Sequence, residues 1–169
     1  MAKVGLFYGS TTGKTADAAE KIQAALGGES VVAMFEISDV EPSDLLNYDY
    51  LIIGSPTWNV GDLQDDWDAI IDDMDSLDFS GKTVAYFGTG DSVGYADNFQ
   101  DAIGILEEKV ASLGGKTVGM CANDFEDIES RALRGNQFCG LALDDDNESD
   151  RTDDRIAAWV TQLKSVMSL

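Results

Sequence analysis

Gly9-Ser10-Thr11-Thr12-Gly13-Lys14-Thr15 follows a short apolar run, Val4-Gly5-Leu6-Phe7-Tyr8. It precedes a segment in which Thr15, Ala18, Ala19, Ile22 and Leu26 share one helical face. A strand that turns tightly into a helix leaves backbone N–H groups unpaired and aimed at one spot, with the positive end of the helix dipole behind them. The glycines let the backbone curl towards a ligand, and hydroxyls at Ser10, Thr11, Thr12 and Thr15 add donors. Such a loop suits a phosphate. The nucleotide-hydrolase loop requires four residues between its glycines, and Gly9 to Gly13 encloses three. The expected phosphate is therefore not that of a hydrolysed nucleotide with bound Mg²⁺.

Outward from this loop, apolar runs alternate with amphipathic segments. The runs are Val31–Phe35, Tyr50–Gly54, Thr83–Gly88 and Lys116–Met120. Helical faces are formed by Trp67, Ile70, Ile71 and Met74, then by Phe99, Ala102, Ile103, Leu106, Val110 and Leu113, and finally by Ile156, Trp159, Val160, Leu163 and Met167. This β-α-β-α order predicts an α/β fold around a parallel sheet buried on both sides. Residues 121–137 are polar and irregular, and Phe138–Leu143 then reads as strand again. They are expected to be an inserted loop interrupting the last strand. With 169 residues and no linker-like stretch, one domain over 1–169 is expected.

Composition removes several function classes. The net charge of −21 argues against nucleic acid and anionic membrane as partners. It favours docking onto basic surfaces, steered by charge and weakened by salt; acidity serving solubility alone is the plainer alternative. With no histidine, His-based acid–base catalysis and His-ligated metal sites are out. Two cysteines, Cys121 and Cys139, are too few for an iron–sulfur cluster, which takes four. They read as buried or half-buried thiols of a reducing compartment, a disulfide being the lesser reading. The chain opens Met1-Ala2-Lys3 and enters a strand at once, so no signal peptide, a cytoplasmic location and no membrane insertion are expected.

Ligands of open parallel sheets sit beyond the carboxyl ends of the strands, at the point where strand order switches. Two further loops there are rich in suitable residues: Ser55–Asp62, with Trp58 among turn formers, and Gly88–Asn98, with Tyr95 among glycines. One phosphate cradle and two loop aromatics suggest a planar aromatic ligand clamped between Trp58 and Tyr95. Such ring stacking is worth about 1 kcal/mol per pair beyond the area buried. The alternative is that both aromatics merely cap the sheet.

Gly9–Thr15, Pro56-Thr57-Trp58-Asn59 and Gly88-Thr89-Gly90-Asp91 with Gly94-Tyr95 together resemble the three FMN-binding loops of flavodoxins. The interrupted strand before Phe138 resembles the long-chain class, and Tyr86–Gly119 is similar to flavodoxins of cyanobacteria and other phototrophs. The resemblance spans the chain. It implies a flavodoxin-like, doubly wound, five-stranded parallel sheet of order 2-1-3-4-5, with FMN at the switch point. It also implies a low-potential one-electron carrier working on the semiquinone/hydroquinone couple, with no catalytic residue, no metal and no turnover of its own.

By the same resemblance Ser10, Thr11, Thr12, Gly13, Lys14 and Thr15 hold the phosphate, Lys14 pointing to solvent. Thr57 and Asp146 contact the ribityl chain, Pro56 of the second loop is cofactor-binding, and Trp58 and Tyr95 are the inner and outer stacking residues. Backbone at Asn59, Val60, Gly61, Thr89, Gly90 and Asp91 meets the polar edge of the flavin, supported by Asn98 and Gln100. Val60 is expected to resist the backbone rotation that accompanies the first electron. Asp62, Asp65 and Asp66 are expected to disfavour the second. Implied partners are basic redox proteins, ferredoxin–NADP reductase and photosystem I, met by a monomer. The rival is a flavodoxin-fold FMN-dependent NAD(P)H or quinone reductase, against which stands the lack of a visible nicotinamide-binding basic residue. A phospho-acceptor receiver domain of the same fold would need an Asp where Ile53-Gly54-Ser55 stands.

Overall fold

The computed structural model describes residues 2–58 and 60–169. The strands of its central parallel path are β1 (Val4–Tyr8), β2 (Val32–Glu36), β3 (Tyr50–Trp58), β4 (Thr83–Thr89) and β5 (Leu141–Leu143). Its helices are α1 (Lys14–Leu26), α2 (Asp65–Ile70), α3 (Asp101–Ser112) and α4 (Thr152–Val166). The strands lie parallel in the order β2-β1-β3-β4-β5, as expected. The chain moves from β1 outward to β2, then crosses to β3 on the other side of β1. The switch point therefore lies between β1 and β3.

Alternation along the strands divides the core. Leu6, Ile52, Ala85 and Phe87 face α1 and α4, where they meet Ile22, Trp159, Val160 and Leu163. Phe7, Ile53, Val84 and Tyr86 face α2 and α3, where they meet Trp67, Ile103, Leu106 and Val110. Both layers are fully buried, which explains strands that read as continuous apolar runs. The buried residues of α1 are Thr15, Ala18, Ala19, Ile22 and Leu26, the face its periodicity predicts.

The last strand is interrupted, as expected. Lys116–Thr117 pairs with the start of β4, and β5 pairs with its end. Between them the chain leaves the sheet. The insertion is more ordered than its polar composition suggests. Cys121–Ala122, Leu133–Arg134 and Gln137–Phe138 form a small antiparallel sheet. Phe125 packs against Phe99 and Phe138, with ring centroids 4.6 and 6.0 Å away. Phe138 thus belongs to the insertion and not to β5.

Other expectations shift. The run Lys116–Met120 is strand only at Lys116–Thr117. The segment around Trp67 and Met74 is a short α2 followed by a 3-10 turn at Asp72–Ser76, not one continuous helix. β3 continues four residues past Gly54 to Trp58: Ser55 and Pro56 pair parallel with β4, and Thr57 and Trp58 pair antiparallel with Leu63 and Asp62. The loop foreseen from Ser55 is strand as far as Trp58. Cys121 is half-buried and Cys139 buried, and both are free thiols.

Candidate functional site

The carboxyl ends of β1, β3, β4 and β5 converge on a cavity of about 280 Å³. Twelve of the residues singled out from sequence line it: Thr12, Lys14, Pro56, Thr57, Trp58, Thr89, Gly90, Asp91, Tyr95, Asn98, Gln100 and Asp146. Ser10, Thr11, Gly13, Thr15, Val60 and Gly61 do not line it, and Asn59 lies outside the described residues.

At one end stands the loop between β1 and α1. Gly13 takes φ +91°, a left-handed conformation open to glycine, and its N–H donates to Ser10 Oγ at 3.2 Å. That closes the loop on itself. The first reach-back within the helix is from Asp17 N–H to the Gly13 carbonyl. The N–H groups of Lys14, Thr15 and Ala16 therefore have no intrahelical acceptor and concentrate the dipole's positive end beside the Thr12 hydroxyl. Thr15 does not face the cavity. It is buried and shares a hydrogen bond of 2.9 Å with Thr89 Oγ1, tying the loop to the end of β4. Thr11 Oγ1 accepts from Gln64 Nε2 at 3.4 Å.

Lys14 does not simply extend into solvent. Its Nζ pairs with Asp146 across the mouth of the cavity, and that bond holds the ammonium above its ordinary pKa. Among the described residues it is the only cation on the wall. At the other end Trp58 is half-buried on β3, and Tyr95 is 52% exposed. Phe99 forms part of the floor. Thr57 Oγ1 accepts from Ala102 N–H at 3.0 Å, which leaves its own proton free to donate. Val60 is 75% exposed, and Gly61 closes the turn against Asp101.

The loop after β4 is folded by Asp91. Its Oδ1 accepts from Gly94 N–H at 2.7 Å, Asn147 Nδ2 at 2.8 Å and Val93 N–H at 3.0 Å. These bonds, that from Gly94 foremost, hold its carboxyl below the ordinary carboxylate pKa. Asn98 Nδ2 donates to Asp101 Oδ2, and Gln100 Nε2 to the Leu143 carbonyl.

Sequence reasoning missed three residues. Gln64 is buried, and its Oε1 caps α2 through Asp66 and Trp67 N–H. Glutamine is not a favoured cap, so the sequence carried little signal. Asp101 is buried and accepts from Arg131 N–H at 2.7 Å, joining the insertion to α3. Asp144, which reads as part of a solvated acidic run, is fully buried; of that run only Asp146 is exposed.

The arrangement suits a phosphorylated aromatic ligand. Unpaired N–H groups and hydroxyls stand at one end, and a Trp–Tyr–Phe slot with backbone polar groups at the other. The flavodoxin family matches residues 6–159. A flavodoxin of Synechococcus elongatus is 60% identical over 100% of both chains, and Flavodoxin 2 of Escherichia coli is 41% identical over 98% of this chain and 96% of that one. A crystal structure of Fusobacterium nucleatum flavodoxin bound to flavin mononucleotide superposes with a TM-score of 0.90 at 29% identity, covering 98% of this chain and 99% of that one. With the family matched from β1 to α4 and relatives aligned end to end, this chain belongs to the flavodoxins.

Proposed function

We propose that the chain holds FMN non-covalently in the cavity and passes electrons one at a time between redox proteins. The observation that carries this is the meeting of the α1 N-terminal loop with Trp58 and Tyr95 around one slot. When bound, FMN supplies the one-electron chemistry; the protein binds, orients and tunes it.

In this reading Ser10–Thr15 hold the phosphate through hydroxyls and first-turn amides. Thr57 donates to the ribityl chain, and Asp146 accepts from it while balancing Lys14. Trp58 and Tyr95 cover the two ring faces and exclude water. Pro56 would border the slot from β3, Val60 and Gly61 would meet one polar edge of the ring, and Thr89, Gly90 and Asp91 the other. Asn98 and Gln100 brace the floor through Asp101 and Leu143.

The partners proposed are basic redox proteins, photosystem I and ferredoxin–NADP reductase among them. Support comes from the charge of −21, from the exposed carboxylates Asp65 and Asp68 that share a hollow with Trp58, and from exposed Asp72 and Asp73 in the turn after α2. Such encounters are small and transient. The carrier is proposed to work as a single domain over 1–169, a cytoplasmic monomer.

Titrating flavin-free protein with FMN tests the reading. One FMN should bind per chain, more tightly than riboflavin. Absence of binding, or steady-state NAD(P)H oxidation by the loaded protein alone, would contradict it.

A further inference from the structure

The loop that carries Tyr95 has no apolar anchor at its tip. Val93 is 73% exposed and Tyr95 52%. Hydrophobic burial therefore does not hold this loop over the cavity, and something polar must. The bonds run from the turn after β5. Asp144 is fully buried, and its Oδ2 accepts from Ser92 N–H at 3.1 Å and from the Ser92 hydroxyl. Its Oδ1 accepts from Asn147 N–H at 3.0 Å and Nδ2 at 3.1 Å. The same Asn147 amide reaches Asp91 Oδ1 at 2.8 Å. Asp91 in turn gathers Val93 and Gly94 N–H, and its carbonyl accepts from Tyr95 N–H at 3.1 Å.

A buried carboxylate is costly unless its lone pairs are met, and here they are met by donors of the loop tip and of its own turn. Because those donors come from two separate stretches, the buried charge fixes one against the other. We propose that Asp144 and Asn147 are positioning residues: a polar clasp that holds residues 91–95 where Tyr95 covers the ring end of the cavity. The clasp sets the affinity for the flavin ring; neither residue bonds to the loop between β1 and α1, which this turn meets through Asp146 and Lys14 instead. This rests on the FMN reading above.

The test compares FMN, riboflavin and inorganic phosphate binding to the flavin-free full chain for Ser92→Ala, Asn147→Ala and Asp144→Ala. Asn147 is exposed and Ser92 half-buried, so the first two variants should fold even where Asp144→Ala does not. Each should weaken FMN and riboflavin about tenfold; Ser92→Ala and Asn147→Ala, which alter no charge, should do so by the same factor for both and leave phosphate binding unchanged. Ser92→Thr, which keeps the hydroxyl, should restore both flavin affinities. Amide exchange at Ser92, Val93 and Gly94 should rise in the flavin-free variants, a readout independent of any flavin. Unchanged riboflavin affinity with unchanged exchange overturns the clasp, as does an equal loss of inorganic phosphate binding, which marks general destabilisation. An unsubstituted chain that binds neither flavin overturns the functional reading, and the clasp with it.

Discussion

Lys14 Nζ and Asp146 meet across the mouth of the cavity, joining the α1 N-terminal loop to the turn after β5. Both side chains are nearly half exposed, so the pair adds little stability. Its importance is electrostatic. Lys14 is the only cation on the cavity wall among the described residues, and Asp146, Asp145 and Asp144 are the charges that act on it.

Opposite effects of the two partners follow. Lys14→Ala should weaken FMN several-fold while leaving riboflavin almost unchanged, and Asp146→Asn should tighten the phosphate contribution to FMN binding. Both effects should shrink as salt rises. Fluorescence titrations at two ionic strengths check this. Equal losses for FMN and riboflavin in Lys14→Ala would place the lysine's role in packing.

Close packing of β3 on β4 gives a second prediction. A Cβ on Gly54 would lie 2.1 Å from Phe87 Cζ, and Phe87 is fully buried. Gly54→Ala should destabilise the fold by about 1–3 kcal/mol. Phe87→Leu in that background should cost less than it does alone, a coupling that a double-mutant cycle of urea midpoints measures. Additive losses would show that the ring is not what the new methyl meets.

Much of this site is legible in the sequence because its parts are local. The buried face of α1 and the glycine-rich turn before it follow from periodicity and turn chemistry within one stretch. The extension of β3 to Trp58 depends on its pairing with Asp62–Leu63, a tertiary choice that local propensity does not dictate. Asp144 is hidden for a similar reason. Beside Asp145 and Asp146 it reads as solvated, and its burial is decided by Ser92, which the fold brings to it from the end of β4. Phe125 and Phe138 order an insertion that looks like a flap because its other residues are polar.

The thiols give a pH-dependent prediction. Burial pushes Cys121 up to about 11 and Cys139 up to about 12. An unfolded thiol titrates near 8.5. Because the folded values are raised, the stability linked to them is complete below about pH 8.5 and is lost as pH rises through 11 to 12. At pH 8 both thiols should react slowly with a disulfide reagent in native protein and rapidly in urea. Fast modification of the native chain would contradict their burial as neutral groups.

The acidic border of Trp58 supplies a fourth. Asp65 and Asp68 line a second hollow, together with Thr11, that shares Trp58 with the cavity wall. Asp65→Asn with Asp68→Asn should make the second electron easier to add to bound FMN, by up to about 1 kcal/mol at low salt. Spectroelectrochemistry reads the shift. An unmoved potential would assign the effect to ring stacking.

The central claim is that this chain carries single electrons on FMN. Visible absorption of the purified, FMN-loaded protein during stepwise photoreduction tests it most directly. The account predicts an oxidised flavin spectrum that passes through a blue, neutral one-electron-reduced form before bleaching. Passage straight to the two-electron-reduced state, with no blue form at any step, would contradict it.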